Sequence, residues 1–340
     1  MKVLGETYDE RTLMKYSGSM ESLNSARRIQ LQDGKAKGTD AVEVRCSSGL
    51  ELMILIDRGM DIASASYRGV NIGYLSKNGI TGNSGTIPFE DEFLRYFTGG
   101  LLTTCGLRNT GPSCREENGE YHPLHGRVST ICAQDVSIQW KDKETVVISG
   151  ILRETALFGH QLKLKRTITV NTSLANININ DELENETETE EEIAILYHIN
   201  FGFPFLQDGC VIEFDGNDEV IPRTDEARKG IEDYKKITAP VDGFKEQVFF
   251  HMLDGNENGN ATVRVINPHL EMMAELNYSL ANLPILVEWK SMKSGDYVLG
   301  MEPSNSFING RVEERRNGTL KKIGPYSKLQ YIVDLTITMT

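Results

Sequence analysis

The sequence lacks the patterns that would place a chain in a membrane or in an oxidising compartment. No window approaches the run of about 20 apolar residues that spans a bilayer, and residues 1–6 begin no apolar segment of signal-peptide length. The five cysteines are odd in number and include no Cys-x-x-Cys pair, which indicates neither a disulfide framework nor a thiolate zinc site. We therefore expect a cytoplasmic protein with reduced thiols and no membrane partner.

Positive charge is scarce as well. The 340 residues contain 36 Lys and Arg against 49 Asp and Glu, so the formal net charge is -13 and nucleic acid is not expected as a partner. Hydrophobic residues make up 39% and charged residues 25%, which is typical of a globular protein with a sizeable core. Small uncharged or cationic ligands remain open, and a monomer and a homodimer are both compatible with the sequence.

Motifs for metals and cofactors are absent from the sequence. It contains no His-Glu-x-x-His, no calcium-loop spacing and no glycine-rich phosphate loop. His122 and His125 are three residues apart, but Pro123 between them and Gly126 after them disfavour the helix that would bring both rings to one ion. The acidic run over residues 181–192 is typical of a solvated hairpin tip. We predict no metal and no cofactor.

Alternation of apolar and polar residues is abundant. Strands are predicted at residues 42–46 and 50–56, through most of residues 128–185, and at residues 329–339. Residues 80–119 are rich in Gly, Thr, Asn and Pro and are predicted to form loops, where sites are usually carried. No regular alternation of strands with long helices appears. The pattern predicts an all-β protein with large antiparallel sheets and few short helices.

The first 40 residues are polar and mixed, unlike the rest of the chain. Short helices are possible at residues 10–16 and 20–29. We predict an N-terminal extension over residues 1–40 that packs on a single domain over residues 41–340.

Glu302 stands out because it ends a short apolar run. The alternation in residues 297–303 predicts a strand covered on both faces, and the strand should stop at Pro303, which has no backbone N–H to donate. Glu302 would then lie at the mouth of a buried strand. It is either a reactive carboxylate or a strand-edge residue held by backbone amides or an arginine.

His198 lies in an apolar and aromatic strand predicted over residues 193–205. An unpaired buried polar group costs about 1–3 kcal/mol, so both ring nitrogens need partners. A satisfied core histidine and a site histidine both fit. In a strand, Gln247, Phe249 and His251 would share one face, as in carbohydrate pockets and equally in ordinary cores.

Two arginines are further candidates. Arg108 follows an apolar strand flanked by glycines, and its guanidinium can donate to vicinal hydroxyls or to a carboxylate, either of a ligand or of Glu116 or Glu117. Arg58 and Asp61 lie within an apolar region and either pair with each other or face a cavity.

In their order along the chain, four segments resemble those of the galactose mutarotase (aldose 1-epimerase) superfamily. They are Leu107-Arg108-Asn109, similar to its arginine segment, Leu124-His125-Gly126, similar to its Leu-His-Gly, Tyr197-His198-Ile199-Asn200-Phe201, similar to its Asn-His-x-x-Phe, and Gly300-Met301-Glu302-Pro303, similar to its base-bearing segment. The resemblance covers most of residues 40–340. Residues 57–62 suggest a divergent bacterial branch.

The sequence departs from the family pattern at three points. Tyr197 stands where the family has Asn, Arg127 follows His125-Gly126 in place of a second glycine, and the family's pocket aspartate has Asp242 as its nearest match. These departures affect the expected substrate more than the expected reaction.

The resemblance implies a galactose mutarotase-like β-supersandwich and a small-molecule sugar as substrate. It implies that Glu302 is the general base and His198 the general acid that interconvert the α and β anomers of an aldose. Arg108 and His125 would orient ring hydroxyls. Gln247, His251 and Arg58 would complete the pocket. Two alternatives remain open at this stage: a catalytically silent carbohydrate-binding protein, and a sugar isomerase or lyase on the same scaffold.

Overall fold

A computed structural model describes residues 1–83, 88–216 and 218–340; residues 84–87, within the predicted loop region 80–119, lie outside this part. The strands are β1 (Lys2–Val3), β2 (Glu6–Thr7), β3 (Ser25–Gln30), β4 (Asp40–Arg45), β5 (Leu50–Leu55), β6 (Asp61–Tyr67), β7 (Val70–Asn71), β8 (Tyr74–Leu75), β9 (Gly99–Gly100), β10 (Leu102–Leu107), β11 (Cys114–Arg115), β12 (Tyr121–His122), β13 (Gln134–Trp140), β14 (Thr145–Thr155), β15 (Gln161–Asn171), β16 (Asn176–Asn185), β17 (Glu191–Phe201), β18 (Val211–Phe214), β19 (Asp218–Pro222), β20 (Gln247–Leu253), β21 (Asn260–Asn267), β22 (Met272–Ser279), β23 (Ile285–Lys293), β24 (Asp296–Ser304), β25 (Lys321–Ile323) and β26 (Lys328–Met339). The helices are α1 (Glu10–Tyr16), α2 (Phe93–Tyr96), α3 (Asp225–Lys229) and α4 (Arg311–Asn317), with short 3-10 turns at Met20–Ser22, Gly34–Ala36, Val128–Thr130 and Ile231–Asp233.

Two large antiparallel sheets form the body of the protein. The larger sheet has the strand order β19-β20-β23-β24-β17-β10-β6-β5-β4-β3, and the smaller sheet has the order β13-β14-β15-β16-β26-β22-β21-β18. One hydrophobic cluster contains buried side chains from both sheets, so the main core lies between them. The predicted all-β architecture is confirmed.

The burial of each strand follows from its place in this arrangement. In β14, β15 and β16 buried residues alternate with less buried ones, because one face of the smaller sheet covers the core and the other faces outward. From Ile193 onward β17 is buried on both faces. A second apolar cluster, which includes Phe97, Leu196, Val248 and Val287, covers the outer face of the larger sheet around this strand.

Arg166 links the two sheets through the core. It is fully buried on β15 and pairs with Asp181 on the neighbouring β16, with 2.6 Å between Nη2 and Oδ2. It also donates to the Thr104 hydroxyl and approaches Asp61, both on the larger sheet. Tyr197 on β17 donates its hydroxyl to Asp181 from the same side. The prediction that residues 181–192 form a solvated tip is therefore wrong at its start, because Asp181 is buried as the partner of a buried cation.

The N-terminal segment agrees with the sequence prediction only in part. The helix at residues 10–16 is confirmed, and the Asp9 side chain accepts a hydrogen bond from the Thr12 backbone N–H at its start. The helix predicted at residues 20–29 is wrong: a short 3-10 turn is followed by β3, which pairs with β4 as an edge strand of the larger sheet. Backbone pairing with β4 therefore gives residues 25–30 their strand conformation. The domain boundary at residue 40 stays a prediction.

Within the described residues, no helix has the length and apolar character needed to cross a membrane.

Candidate active site

A cavity of about 390 Å³ lies on the outer face of the larger sheet, against the second apolar cluster. Its size falls in the range of small-molecule sites. Side chains from β17, β20, β23 and β24 form its floor, and the loops before β10 and after β12 form its walls. The lining residues include Asp91, Phe93, Leu94, Phe97, Gly111, Leu124, His125, His198, Arg223, Glu246, Val248, Trp289, Glu302 and Ile308.

His198 and Glu302 meet in this cavity. Strands β17 and β24 pair so that Ile199 faces Met301 and Leu196 faces Ser304, and this register sets His198 directly opposite Glu302. His198 Nδ1 lies 3.1 Å from Glu302 Oε1. The geometry of this contact is not that of a hydrogen bond, and neither atom has another hydrogen-bond partner among the described residues. The structure thus brings together the two residues predicted to carry the chemistry.

Gly300 makes room for the Glu302 side chain. The carboxylate folds back along β24 over the residue two positions earlier, and a Cβ added at Gly300 would lie only 2.3 Å from Glu302 Oε1 and 3.1 Å from Trp289 Cβ. Any side chain at this position would therefore displace the carboxylate.

Burial governs the protonation of the pair. His198 is 6% exposed and Glu302 is 1% exposed, and both line the cavity wall. Burial raises the pKa of Glu302 well above its usual range, and the nearby Glu246 raises it further. Burial, with the neighbouring His125, lowers the pKa of His198 to about 3. Both shifts favour the neutral forms, so without a ligand a proton is favoured on Glu302 over His198.

His125 presents a second imidazole to the cavity. The Gly111 backbone N–H lies 3.4 Å from His125 Nδ1 and donates to it, so the proton of the neutral ring belongs on Nε2. Burial lowers the pKa of His125 to about 4, with a further contribution from Arg223. A Cβ on Gly126 would lie 2.3 Å from the Gly106 carbonyl oxygen, which explains the glycine after His125. His125 is therefore a neutral hydrogen-bond donor.

Aromatic rings complete the cavity. Phe97 lies 5.3 Å from the His198 ring centroid and 6.2 Å from that of Trp289, and Trp289 meets His198 edge-to-face at 5.1 Å. Phe93 lies 5.0 Å from the His125 ring. Flat apolar rings beside a few polar groups suit the C–H faces and hydroxyls of a sugar.

The prediction missed Arg223, Glu246 and Trp289. Arg223 follows Pro222, which ends β19, and Glu246 immediately precedes β20. A charged residue next to a strand end was a usable signal, since Glu302 was selected on that basis. Glu246 accepts a hydrogen bond from Trp289 Nε1 at 2.9 Å. The prediction of Asp242 as the pocket aspartate is corrected, because Asp242 is exposed in a turn, and Asp91 and Glu246 are the acids that line the cavity besides Glu302.

Arg108 is not brought to the cavity, and its prediction as a pocket residue is corrected. It lies in a separate charged cluster, in which it pairs with Glu120 and Glu191. Arg311 joins the same cluster through Glu191 and through Glu116. The guanidinium group of Arg108 donates its hydrogen bonds to carboxylates of the protein itself.

The charged cluster also contains the described group whose spacing would suit a metal. Glu116, Glu120 and His122 have ligand atoms within 4.8 Å of one another. Both carboxylates are already paired with arginines, Glu120 with Arg108 and Glu116 with Arg311 and Arg315. A cation would have to displace these guanidinium groups.

Gln247 and His251 share one face of β20, as predicted, but that face points away from the cavity. Val248 on the opposite face lines it. His251 is buried between Asp218 and Glu288, at 2.9 and 3.1 Å, and these hydrogen bonds raise its pKa against the effect of burial. Gln247 donates to the Glu226 carbonyl. Both are therefore corrected to structural residues.

Arg58 is also corrected to a structural role. It is buried, donates to the Ser129 carbonyl and the Thr81 hydroxyl, and lies over the Tyr96 ring. Asp61, its predicted partner, instead accepts from the Thr104 backbone N–H and approaches Arg166.

Solved structures with the same fold include three bacterial proteins. A Klebsiella pneumoniae protein provisionally named an aldose 1-epimerase is 22% identical, with a TM-score of 0.85 over 92% of this chain and 83% of that one. A galactose mutarotase-like protein from Clostridium acetobutylicum is 14% identical, with a TM-score of 0.68 over 94% and 100%. Galactose 1-epimerase from Lactobacillus acidophilus is 13% identical, with a TM-score of 0.61 over 93% and 99%. The chain therefore has the predicted galactose mutarotase-like fold.

No curated protein matches the chain in sequence. A family model does match it, over residues 36–337, and that range covers the smaller sheet almost completely, all of the larger sheet's ten-strand order except β3, and the whole cavity floor. The chain therefore belongs to the family described as a domain of unknown function, DUF4432.

Proposed function

We propose that the protein is an aldose 1-epimerase, which interconverts the α and β anomers of a sugar. The observation that carries the proposal is the contact of 3.1 Å between His198 and Glu302 inside a cavity of about 390 Å³. Ring opening needs a group that removes the proton of the C1 hydroxyl and another that protonates the ring oxygen. A pair that shares one proton supplies one acceptor and one donor.

The reaction starts with proton transfer within the pair. Burial favours a proton on Glu302 in the free site, and its transfer to His198, whose Nδ1 lies 3.1 Å from Oε1, gives a carboxylate base beside an imidazolium acid. Glu302 then takes the C1 hydroxyl proton while His198 protonates the ring oxygen, and the bond between C1 and the ring oxygen breaks. Rotation about C1–C2 and closure on the other face of the aldehyde, with both proton transfers reversed, give the other anomer.

Other residues orient the sugar. The Nε2–H of His125 donates to a ring hydroxyl, and Trp289 and Phe97 cover the apolar face of the ring. The Lactobacillus acidophilus protein named galactose 1-epimerase has the same fold, which supports the proposed reaction.

The direct test is a panel of aldoses followed by NMR exchange spectroscopy between the α and β anomeric protons. We expect the protein to accelerate exchange of at least one aldose far above the buffer rate. Heat-denatured protein at the same concentration controls for catalysis by free side chains. Binding of an aldose without faster exchange would instead identify a carbohydrate-binding protein, and a product with a new carbon skeleton or new ultraviolet absorbance would identify an isomerase or a lyase.

Replacing Gly300 with alanine should impair the reaction, although no reacting group is itself replaced. The new Cβ would occupy the position of the Glu302 carboxylate, and displacement by about 1 Å is expected to lower the exchange rate by about 10²-fold. The exchange rate of the Gly300→Ala protein measures this. Gly18→Ala is the matched control, because an added Cβ there contacts nothing within 4 Å. An unchanged rate in Gly300→Ala would mean that the position of Glu302 is not critical.

A further inference from the structure

Besides the acid–base pair, the cavity is lined by one cationic side chain, Arg223, and by two acidic ones, Asp91 and Glu246. Arg223 and Glu246 come from the ends of the neighbouring strands β19 and β20. Among the described residues that line the cavity, Arg223 is the one Arg or Lys side chain. We propose that Arg223 sets the charge balance of the Glu302–His198 pair and that Glu246 opposes it. The catalytic consequence of this inference rests on the proposed function.

Arg223 is placed to act as a charge rather than as half of a salt bridge. Its Nη2 donates to the Ile308 carbonyl at 3.1 Å, and within the described part of the chain no carboxylate oxygen lies within 4.0 Å of its guanidinium. Burial lowers its pKa, whereas the charges of Glu246 and Glu302 raise it. The attraction is mutual, so Arg223 favours the ionised form of Glu302. That form is the one that takes a proton from a sugar hydroxyl.

Glu246 acts in the opposite sense. It lies at the exposed end of the cavity and holds Trp289, whose ring packs edge-to-face on His198. Its negative charge raises the pKa of Glu302. The charge of Glu246 has the larger influence on the pKa of Glu302, and that of Arg223 the smaller one. Because Glu246 is exposed and Arg223 is partly buried, solvent screens Glu246 more strongly, which brings the two effects closer in size.

The remaining titratable groups around Glu302 come from every element that packs on it. They are His198 on β17, Cys105 on β10, His125 after β12 and Asp91 before α2, while Glu314 on α4 faces Arg223. Burial keeps His125 and Cys105 neutral near pH 7. Arg223 and Glu246 are the two charged residues that influence the pKa of Glu302, whereas Asp91 lines the cavity without such an influence.

The test compares neutral and charged replacements at both positions. Arg223→Gln removes the positive charge and Arg223→Lys keeps it. Glu246→Gln removes the negative charge but keeps an oxygen that can accept from Trp289. Lys245→Gln and Glu219→Gln are matched controls, because they remove one charge of each sign from exposed side chains outside the cavity. Each protein is followed by its pH–rate profile for anomer exchange and by the carboxyl ¹³C shift of Glu302, whose signal is identified by its absence from Glu302→Gln.

We expect opposite shifts. The Glu302 midpoint should rise in Arg223→Gln and fall in Glu246→Gln, each by up to about one pH unit, and should change little in Arg223→Lys. Shifts in the same direction, or no larger than in the controls, would overturn the inference. The ¹³C titration is independent of activity: if no aldose is turned over, the proposed function fails, while the midpoints still decide whether Arg223 and Glu246 set the charge balance. Should Arg223→Gln not fold, the direction of the shift in Glu246→Gln decides.

Discussion

Replacing Glu302 with glutamine should lower the rate of enzymatic anomer exchange by about 10²–10⁴-fold, the usual contribution of a positioned acid or base. Glutamine has nearly the shape of the protonated carboxyl group but can neither accept nor release the proton. Exchange spectroscopy on an aldose accepted by the wild type measures the loss. Because burial already favours the neutral form of Glu302, the free energy of unfolding should hardly change.

Glu275→Gln is a suitable control for this substitution. Glu275 also lies within a strand, but it is on the smaller sheet and pairs with Arg264 near the surface. Its replacement should leave the exchange rate unchanged. A Glu302→Gln protein with near-normal exchange would remove Glu302 from the mechanism, and with it the proposed acid–base pair.

Replacing Arg166 with methionine should destabilise the fold by about 3–5 kcal/mol, the usual cost of removing one partner of a buried ion pair. The methionine would leave the buried Asp181 without its cation and would remove the hydrogen bond to Thr104 on the other sheet. Urea denaturation followed by circular dichroism measures the free energy of unfolding.

Arg264→Met provides the comparison for Arg166→Met. Arg264 pairs with Asp215 and Glu275, but the Asp215 side chain is 54% exposed, so its removal should cost about 0–1 kcal/mol. If Arg166→Met costs no more than Arg264→Met, the link between the two sheets does not contribute to stability in the way described.

Alternation along the chain was sufficient to predict the long strands β14 to β17 and β26, whereas β3, β6, β21 and β22 were not predicted. In β14 to β16 the side chains alternate strictly between core and surface, and this local period is visible in the sequence. The helix predicted at residues 20–29 was wrong because pairing with β4, a contact with another part of the chain, overrides a weak local preference.

The same alternation explains why His251 was assigned to the wrong side. Periodicity shows that Gln247, Phe249 and His251 share a face of β20, but it does not show on which side of the sheet that face lies. Val248, one residue away, reaches the cavity instead. The choice depends on which loops cover the sheet.

Arginines were the least predictable residues of the site. A guanidinium can donate to carboxylates, carbonyls and hydroxyls, so the sequence around Arg108 and Arg223 does not indicate which one meets a ligand. Arg108 pairs with Glu120 and Glu191, whereas Arg223 lines the cavity. Both outcomes depend on residues far away in the chain.

The sequence by itself determined the all-β class, the positions of the long strands β14 to β17 and β26, and the two residues, His198 and Glu302, whose chemistry stands out from their apolar strands. Those signals are local, since they need only the period of the backbone and the contrast between one side chain and its neighbours. Only the tertiary structure decided that the two residues face each other, that Arg223 and Glu246 rather than Arg108 join them, and which face of β20 lines the cavity. These depend on strand register and on the packing of the sheets, which are set by contacts between distant parts of the chain.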